Sequence, residues 1–536
     1  MLSPLQVLRL YAPHDGTLAS LLAARVAAAP ERDALVFEDR ALGYAQLQRL
    51  AQQAAAMYAA RGVRCGDRIG VMSTNHPSTV ITLLALARLG AVMVPVNPDY
   101  RAAEAGYVFA HAQVNGVLCA PDVLDTVREA VTAINPAPWL MLNRSADGVA
   151  MPVFDDAVAA ATGEPMADEG SADAPCVFIY TSGTTGFPKG VIHGQRTLIL
   201  AGEGFVQRMY LQPDDRLLAI LPMFHINALF YSLAGALAAG ATLILLPRFS
   251  ASTFWADVAR TRATEANTIA AVSNILLRRP RSEFVPGHAL RKIYGAPFSA
   301  ETYDVFQREF GVPTLIEGYG MSEIPGALNN PFEGPHKIGS MGMPSVHPDA
   351  AVQLAQLKIV DDDGRELPDG QTGELVVKTP LAMQGYYRDP EQTRGAFRDG
   401  WFLTGDLAWR DADGYFWFVA RKKDIIRKRG ENISGAELDR VIESHPAVLQ
   451  AAAIPVPDAL GEDEILVAVV RKPGGELDAA AVAAWCRERL APIKVPRYVV
   501  FVDTLPQTPT HRVAKYKLRA DVALRERAVD LRAQTG

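Results

Sequence analysis

The 536-residue sequence predicts an α/β protein: two related N-terminal lobes with largely parallel sheets, a β-rich subdomain, and a small, mobile α+β domain at the C-terminal end. Three observations predict it. Residues 80–89 are helical in character, Gly90 stops them, residues 91–94 read as a strand and Pro95 ends it. The same order recurs at residues 227–247, where Gly240 suits the position after a helix and Pro247 closes an apolar run. From about residue 351 the pattern changes. Short strands are expected at 352–355, 357–360 and 374–378, with turn signals at Asp362-Asp363-Gly364 and Asp369-Gly370 between them. After Gly430 a compact pattern follows: helix 436–444, strands 451–456 and 465–470, helix 479–490.

The bulk numbers bound the function. Hydrophobic residues make up 49% and charged residues 21%, as in a globular domain protein. The net charge of −6 gives no overall attraction to nucleic acid or an anionic membrane. Cys65, Cys119, Cys176 and Cys486 lie far apart, with neither metal-ligand spacing nor a disulfide framework, so a reducing, cytoplasmic setting is expected. The start lacks the pattern of a signal peptide. Residues 226–247 carry no charge and are long enough to span a bilayer, but Gly240 divides them into a helix and a strand, which reads as a buried unit. Residues 161–174 read as a surface loop.

Five segments carry chemistry. Residues 180–190 hold four hydroxyls (Thr181, Ser182, Thr184, Thr185), three glycines (Gly183, Gly186, Gly190) and Lys189, directly after the apolar run 176–180. Glycines bring backbone N–H groups close to a ligand, and the hydroxyls and lysine add donors, a combination suited to polyphosphate oxygens. It is not a Walker A loop, because Lys189 precedes Gly190 instead of Ser or Thr. The second segment, 317–323, places Tyr319 between Gly318 and Gly320, where a ring can lie on a purine, and ends in Glu323, a hard oxygen ligand for phosphate-bound Mg²⁺. The third, 401–406, ends in Thr404-Gly405-Asp406, whose carboxylate can accept from ribose hydroxyls. The fourth, 421–430, has six basic residues and one acidic; Ile425-Ile426 and Gly430 favour a structured hairpin over a nucleic-acid patch. The fifth, 505–519, is a proline-rich loop and a basic segment that alone reads as a surface tail.

In order and spacing these segments resemble the adenylate-forming superfamily of acyl-CoA synthetases, peptide-synthetase adenylation domains and luciferase, from about Thr17 to Arg519. The resemblance implies a large N-terminal domain (1–422) of two lobes plus a β-barrel-like subdomain. It also implies a C-terminal domain (423–536) that rotates between two poses. It implies ATP, Mg²⁺ and coenzyme A as reactants and cofactor, and two half-reactions: acyl-AMP formation with release of pyrophosphate, then thioester formation with release of AMP. Matched residue by residue, Thr181, Ser182, Gly183, Thr184, Thr185 and Lys189 would hold the β- and γ-phosphates. Glu323 would bind Mg²⁺. Gly295, Ala296, Pro297 and Tyr319 would enclose adenine, and Asp406 and Arg421 would hold the ribose. Lys423 falls at the hinge, Gly430 where pantetheine passes, and His225 near the acyl carboxylate. The acyl pocket is expected from residues 225–230, 272–275, 297–300 and 321–325.

The sequence departs from the family pattern at three places. The usual Thr-Gly-Lys of the last motif is Thr510-His511-Arg512, so Arg512 is expected to take the adenylation role, with Lys515 as the alternative cation. Ser322 replaces a threonine and Ala420 a glycine. Only about twenty residues follow Lys515, so a standalone enzyme is expected. Gly430-Glu-Asn-Ile-Ser434 is similar to carnitine- and bile-acid-type CoA ligases. The leading reading is an acid–CoA ligase, with a homodimer among the expected partners. Its alternatives are a ligase that loads a separate carrier protein and a nucleotide-binding regulator with decayed catalysis.

Overall fold

The computed structural model describes residues 1–161, 169–181, 188–428, 431–457, 463–507 and 513–531. The chain divides into two compact units, residues 1–357 with 377–402, and residues 358–376 with 403–536. The division expected at 422/423 concerns a moving joint, which compactness does not address.

The first unit contains two large sheets. Their central strands are parallel and completely buried, which is why they read as continuous apolar runs. One sheet has seven strands in the order Gly385–Tyr386, Lys189–Gly194, Pro175–Thr181, Val92–Val96, Arg68–Met72, Gly116–Cys119, Trp139–Leu142. The other has nine, running from Met343–Pro344 through Ile324–Asn329, Thr314–Met321, Lys292–Gly295 and Glu265–Asn267 to Arg216–Ala219, Thr242–Leu245, Asp33–Phe37 and Arg40–Gly43. Each lobe has its own core: Val94, Phe109, Val117 and Phe178 in the seven-stranded lobe, and Leu218, Trp255, Ile293 and Phe306 in the other.

The repeated unit is present in both lobes, with two differences from expectation. In the first copy the helix Pro77–Arg88 leads through Gly90, at φ +65°, to the strand Val92–Val96. Pro95 lies inside that strand, opposite Val71, instead of ending it. The register with the other neighbour is confined to Met93↔Val177, two residues before the proline. In the second copy the helix begins as a π-helix, Asn227–Leu233, and becomes α-helical only at Ala234–Ala239. Gly240 ends it at φ +64°, where an added Cβ would lie 2.0 Å from the Tyr11 hydroxyl. Residues 228–246 are thus interior to a lobe, and among the described residues no helix is long and apolar enough to cross a membrane.

The second unit contains a four-stranded sheet: Val448–Pro457, Asp463–Arg471, Tyr498–Phe501 and Val529–Asp530. Successive residues enter opposite cores, Ile465, Val467 and Val469 on one face and Leu466, Ala468 and Val470 on the other. The helices Gly435–Glu443 and Ala479–Arg489 lie within two residues of the expected bounds. The strands Gln356–Val360 and Gly373–Lys378 are also as expected. Residues 352–355 are not a strand, because Asp349 organises a turn there: Ala351 N–H donates to its Oδ1 and Val352 N–H to its carbonyl. The expected hairpin forms as Ile425–Lys428 paired with Glu431–Ser434. The fifth segment is no loose tail. Helix Lys515–Ala520 buries Leu518, and Ala514 N–H donates to Pro506 O.

The helix Gln195–Met209, which follows the Lys189 strand, is tied to distant parts of the first unit by one carboxylate. His14 Nε2 and His347 Nε2 lie 3.1 and 3.2 Å from the two oxygens of Glu203. The Nδ1 atom of each ring accepts a backbone N–H, from Gly16 and Asp349, so both rings donate through Nε2. Burial would raise the Glu203 carboxyl, but the two imidazoles outweigh it and bring its pKa to about 2. A depressed carboxyl stabilises the fold fully above its unfolded value of about 4.3 and loses that contribution as pH falls toward about 2. Glu203→Ala is therefore expected to lower stability by about 3 kcal/mol at pH 7. Denaturant unfolding from pH 7 to pH 3 checks this, because the gap from wild type must narrow below about pH 4.

Candidate active site

In the first unit Thr181 and Gly295 end their strands, the position at which open α/β sheets bind ligands. Thr181 ends the Pro175–Thr181 strand and pairs across the ladder with Lys189, the first residue of the next strand. Residues 182–187, including Ser182, Gly183, Thr184 and Thr185, lie outside the described residues. Both flanks of that segment are anchored by the helix Ala102–Ala112. Tyr107 donates its hydroxyl to Pro188 O at 3.2 Å, and the Tyr180 hydroxyl lies 2.7 Å from His111 Nδ1. The Tyr107 and His111 rings stack at 5.5 Å, and burial holds the His111 pKa below its usual value.

In the other sheet, Gly295 ends the strand Lys292–Gly295, and Ala296 and Pro297 follow it to the surface. Its neighbour Thr314–Met321 carries Tyr319, half-buried, and Glu323 lies in the turn to Ile324–Asn329. The glycines beside Tyr319 serve close approach and not a positive φ. An added Cβ would come within 2.3 Å of the Tyr294 hydroxyl at Gly318 and 2.5 Å of Gly326 N at Gly320. Glu317, opposite Gly295, accepts from Phe298 N–H at 2.8 Å, Gly339 N–H at 3.2 Å and the Tyr303 hydroxyl at 3.2 Å. It therefore holds the 296–298 segment in place. Burial raises its carboxyl pKa, against which these bonds act.

The turn at Ser322 and Glu323 joins the two sheets. His193, in the Lys189 strand, has its Nε2 2.6 Å from Ser322 O. Met383 N–H donates to Glu323 O at 2.8 Å, and the Tyr386 hydroxyl donates to Glu323 Oε1 at 2.9 Å. Gly385–Tyr386 is itself an edge strand on the Lys189 strand, in the register Gly385↔Ile192 and Tyr386↔Val191. The Tyr386 ring also lies 5.0 Å from Lys189 Nζ. Among the described residues no cluster of three potential metal ligands exists. A single carboxylate that shares Tyr386 with Lys189 nevertheless fits Mg²⁺, which keeps waters and takes one or two carboxylates with substrate phosphates.

His225 sits in a turn before the π-helix, its N–H bonded to Pro222 O and its ring 4.4 Å from Phe224. The π-helix opens with Asn227, whose Oδ1 is buried with no hydrogen-bond partner in the structure. π-Turns are frequent at functional sites. Ser273, in an expected pocket segment, is buried and bonded to Thr268 Oγ1.

The second unit holds the remaining expected residues. Asp406 and Arg421 are cross-strand partners with Arg421 Nε 3.7 Å from Asp406 Oδ1. Gly405, at φ +68°, gives its N–H to Glu374 Oε1. Lys422 bonds the other oxygen of Glu374 at 3.0 Å and Asp362 at 2.9 Å. Lys423, expected at the hinge, lies in the short 3₁₀ turn Lys422–Asp424. Gly430 and Arg512 lie outside the described residues. Lys515 Nζ is 2.5 Å from Asp439 Oδ2 in a mostly buried pair.

Three residues that position this site were not singled out in the sequence. Glu317 stands inside a quoted motif but was given no role. Tyr386 has the look of an ordinary strand tyrosine beside Tyr387, and His193 that of a core histidine. Their partners lie 63 and 129 residues away along the chain, so no local pattern reveals them.

Comparison with known proteins agrees with this geometry. The family described as AMP-binding enzyme matches residues 22–387, and the AMP-binding enzyme C-terminal domain matches residues 437–512. The chain is 36% identical to a sulfoacetate–CoA ligase of Cupriavidus necator, over 94% of this chain and 97% of that protein. It is 30% identical to a crotonobetaine/carnitine–CoA ligase of Salmonella choleraesuis, over 91% and 96%. Among solved structures it is similar to ATP-bound MatB of Rhodopseudomonas palustris, with a TM-score of 0.82 and 31% identity over 94% of this chain and 98% of that one.

Burial holds His193 neutral, with its pKa lowered to about 4, so it serves as the N–H donor to the Ser322 carbonyl. A histidine whose folded pKa lies below its unfolded value of about 6.5 costs stability as pH falls from about 6.5 toward 4, because the unfolded chain binds the proton first. His193→Gln, which keeps a donor and does not titrate, is expected to flatten the loss of stability between pH 6.5 and 4.5. Thermal melts across that range check this.

Proposed function

The chain belongs to the AMP-binding enzyme family and is an AMP-forming acid–CoA ligase, and we propose that its acid is a small carboxylic acid bearing a second polar group. One observation supports the assembly of the site most directly. The Ser322–Glu323 turn continues the strand beside Gly295–Pro297 and bonds to the sheet that carries Lys189. Adenine-side and phosphate-side groups are thereby held in one frame.

In the first half-reaction a carboxylate oxygen of the acid attacks the α-phosphorus of ATP and pyrophosphate leaves. In the second the sulfur of CoA attacks the acyl carbon and AMP leaves. In the proposed assignment Lys189, with Thr181 and the segment 182–185, steadies the leaving pyrophosphate. Gly295, Ala296, Pro297 and Tyr319 take the adenine, and Asp406 and Arg421 the ribose. Glu323 would hold Mg²⁺, which when bound supplies charge that offsets the repulsion between the incoming carboxylate and the triphosphate. His225 faces the acyl carboxylate, Lys423 is the hinge, and Gly430 lets pantetheine pass. The proposed boundary of the moving domain is accordingly 422/423.

The polar second group follows from the lining and the relatives. Asn227 Oδ1 is a buried acceptor with no protein partner, at the mouth of the π-helix beside His225. The names of the two relatives specify sulfoacetate and crotonobetaine or carnitine, all small acids with a second polar or charged group. Incubation with ATP, Mg²⁺, CoA and a panel of such acids, set against plain alkanoic and aryl acids of equal size, tests the reading. Acyl-CoA from the polar set at higher kcat/KM is expected. A preference for the plain acids overturns it, and acyl-AMP that ignores CoA points to a carrier acceptor. The finer expectations of a cytoplasmic setting and a homodimer belong to the same proposal, and sedimentation of the full chain tests the second.

For the adenylation cation, the structure favours Arg512 over Lys515 indirectly. The Lys515 ammonium is committed to Asp439, whose carboxyl burial raises and Lys515 lowers. Arg512→Ala is expected to slow pyrophosphate release far more than thioester formation from supplied acyl-AMP. Lys515→Ala is expected to act on stability instead, by about 3 kcal/mol, because it leaves Asp439 buried without its cation. Rapid-quench assays of each half-reaction, with melting curves of both variants, separate the two.

A further inference from the structure

Tyr386 occupies a place that the expected roles leave unassigned. Its hydroxyl donates to one oxygen of Glu323, at 2.9 Å, and its ring lies under the ammonium of Lys189, 5.0 Å from the centroid. Among the described residues no carboxylate lies within ion-pair distance of Lys189. The residue is fixed on both sides of its own backbone. Tyr386 pairs with Val191 in the Lys189 strand, and its N–H donates to Thr393 Oγ1 at 2.9 Å. Three residues earlier, Met383 N–H holds the carbonyl of Glu323 at 2.8 Å. A phenol is protonated at neutral pH, so at 2.9 Å from Glu323 Oε1 it is the donor and the carboxylate the acceptor.

We propose that Tyr386 is a positioning residue for metal-bound ATP. It turns the Glu323 carboxylate so that Oε1 is occupied and Oε2 addresses the cation, and it seats the Lys189 ammonium on its ring beside the phosphates. The chemistry favours a neutral aromatic alcohol here. A carboxylate needs its second oxygen oriented before it can ligate, and hydrogen bonds to ligating carboxylates do this. A lysine near that carboxylate would otherwise neutralise it directly, and a ring face attracts the ammonium without competing for the oxygens. A phenol supplies both interactions, and phenylalanine only the second. This rests on the assignment of Glu323 to Mg²⁺ and Lys189 to the phosphates.

Equilibrium binding provides the test. ATP affinity is measured by calorimetry on the full chain with Mg²⁺ and with EDTA, for wild type, Tyr386→Phe, Tyr386→Leu and Glu323→Gln, with melting curves confirming folding. Tyr386→Phe is expected to lose about tenfold of the Mg²⁺-dependent gain in affinity, the weight of one hydrogen bond to a charged group, with metal-free ATP binding unchanged. Tyr386→Leu is expected to weaken metal-free ATP binding as well, because Lys189 loses its seat. Thioester formation from supplied acyl-AMP and CoA should stay within about twofold of wild type in Tyr386→Phe. If Tyr386→Phe matches wild type while Glu323→Gln loses the Mg²⁺ gain, the positioning role is overturned and the site assignment stands. If neither variant alters that gain, the assignment of Glu323 fails and takes the inference with it. Equal losses in metal-free binding, metal-bound binding and thioester formation in Tyr386→Phe would mark a general packing role and overturn the proposal.

Discussion

The turn at Ser322 and Glu323 is the constraint on which the first unit depends. In the proposed site one sheet takes adenine and the other the triphosphate, and such a site needs the two sheets fixed to better than about an ångström, since misplacement on that scale costs catalysis heavily. Side-chain packing alone tolerates such shifts. Here three hydrogen bonds cross at one turn: His193 to Ser322 O, Met383 N–H to Glu323 O, and Tyr386 to Glu323 Oε1. Two fix backbone and one holds the Glu323 carboxylate, so the hairpin and its acidic side chain are held together.

The same junction explains why its donors are of an uncommon kind. A lysine or arginine at position 193 or 386 could also reach an oxygen, but a buried cation there would compete with the Mg²⁺ proposed at Glu323 and would carry a large desolvation cost. Imidazole and phenol are neutral in these surroundings because burial pushes the first pKa down and the second up. They bind oxygen without adding charge at the turn proposed to hold the metal. The cost is visible at His193, whose Nδ1 is buried without a hydrogen-bond partner. An unpaired acceptor beneath a site is tolerated where the opposite nitrogen has work that no apolar residue can do.

Much of this was legible in sequence, and the illegible part has a common cause. The parallel strands, the two repeated units and the C-terminal pattern were readable because burial of both sheet faces writes apolar runs, and Gly90 and Gly240 punctuate them. Thr181, Lys189, Gly295, Tyr319, Glu323, Asp406 and Arg421 could be singled out because their motifs are local, and their roles stand as proposed. Residues 352–355 misled because Val352 and Leu354 alternate like a strand, while the Asp349 side chain competes for the backbone just before them. The π-turn at Asn227–Leu233 carries no periodic signature that separates it from an α-helix. Glu317, Tyr386 and His193 act through partners distant in sequence, so only the closed fold shows what they hold.

The basic run from Arg421 to Gly430 shows how composition misleads when partners are ignored. Six cations in ten residues suggest a surface for an anionic polymer, yet three of them are answered from within the second unit. Arg421 faces Asp406, Lys422 bridges Glu374 and Asp362, and Lys428 meets Glu464 at 2.5 Å in a buried pair. Pairs like the last give little net stability, because desolvation offsets their attraction, but they penalise any arrangement that separates them. In the hinge proposed at Lys423, that property would confine the change of backbone angle to the 422–424 turn, with Lys422 and Lys428 keeping their carboxylates on either side of it.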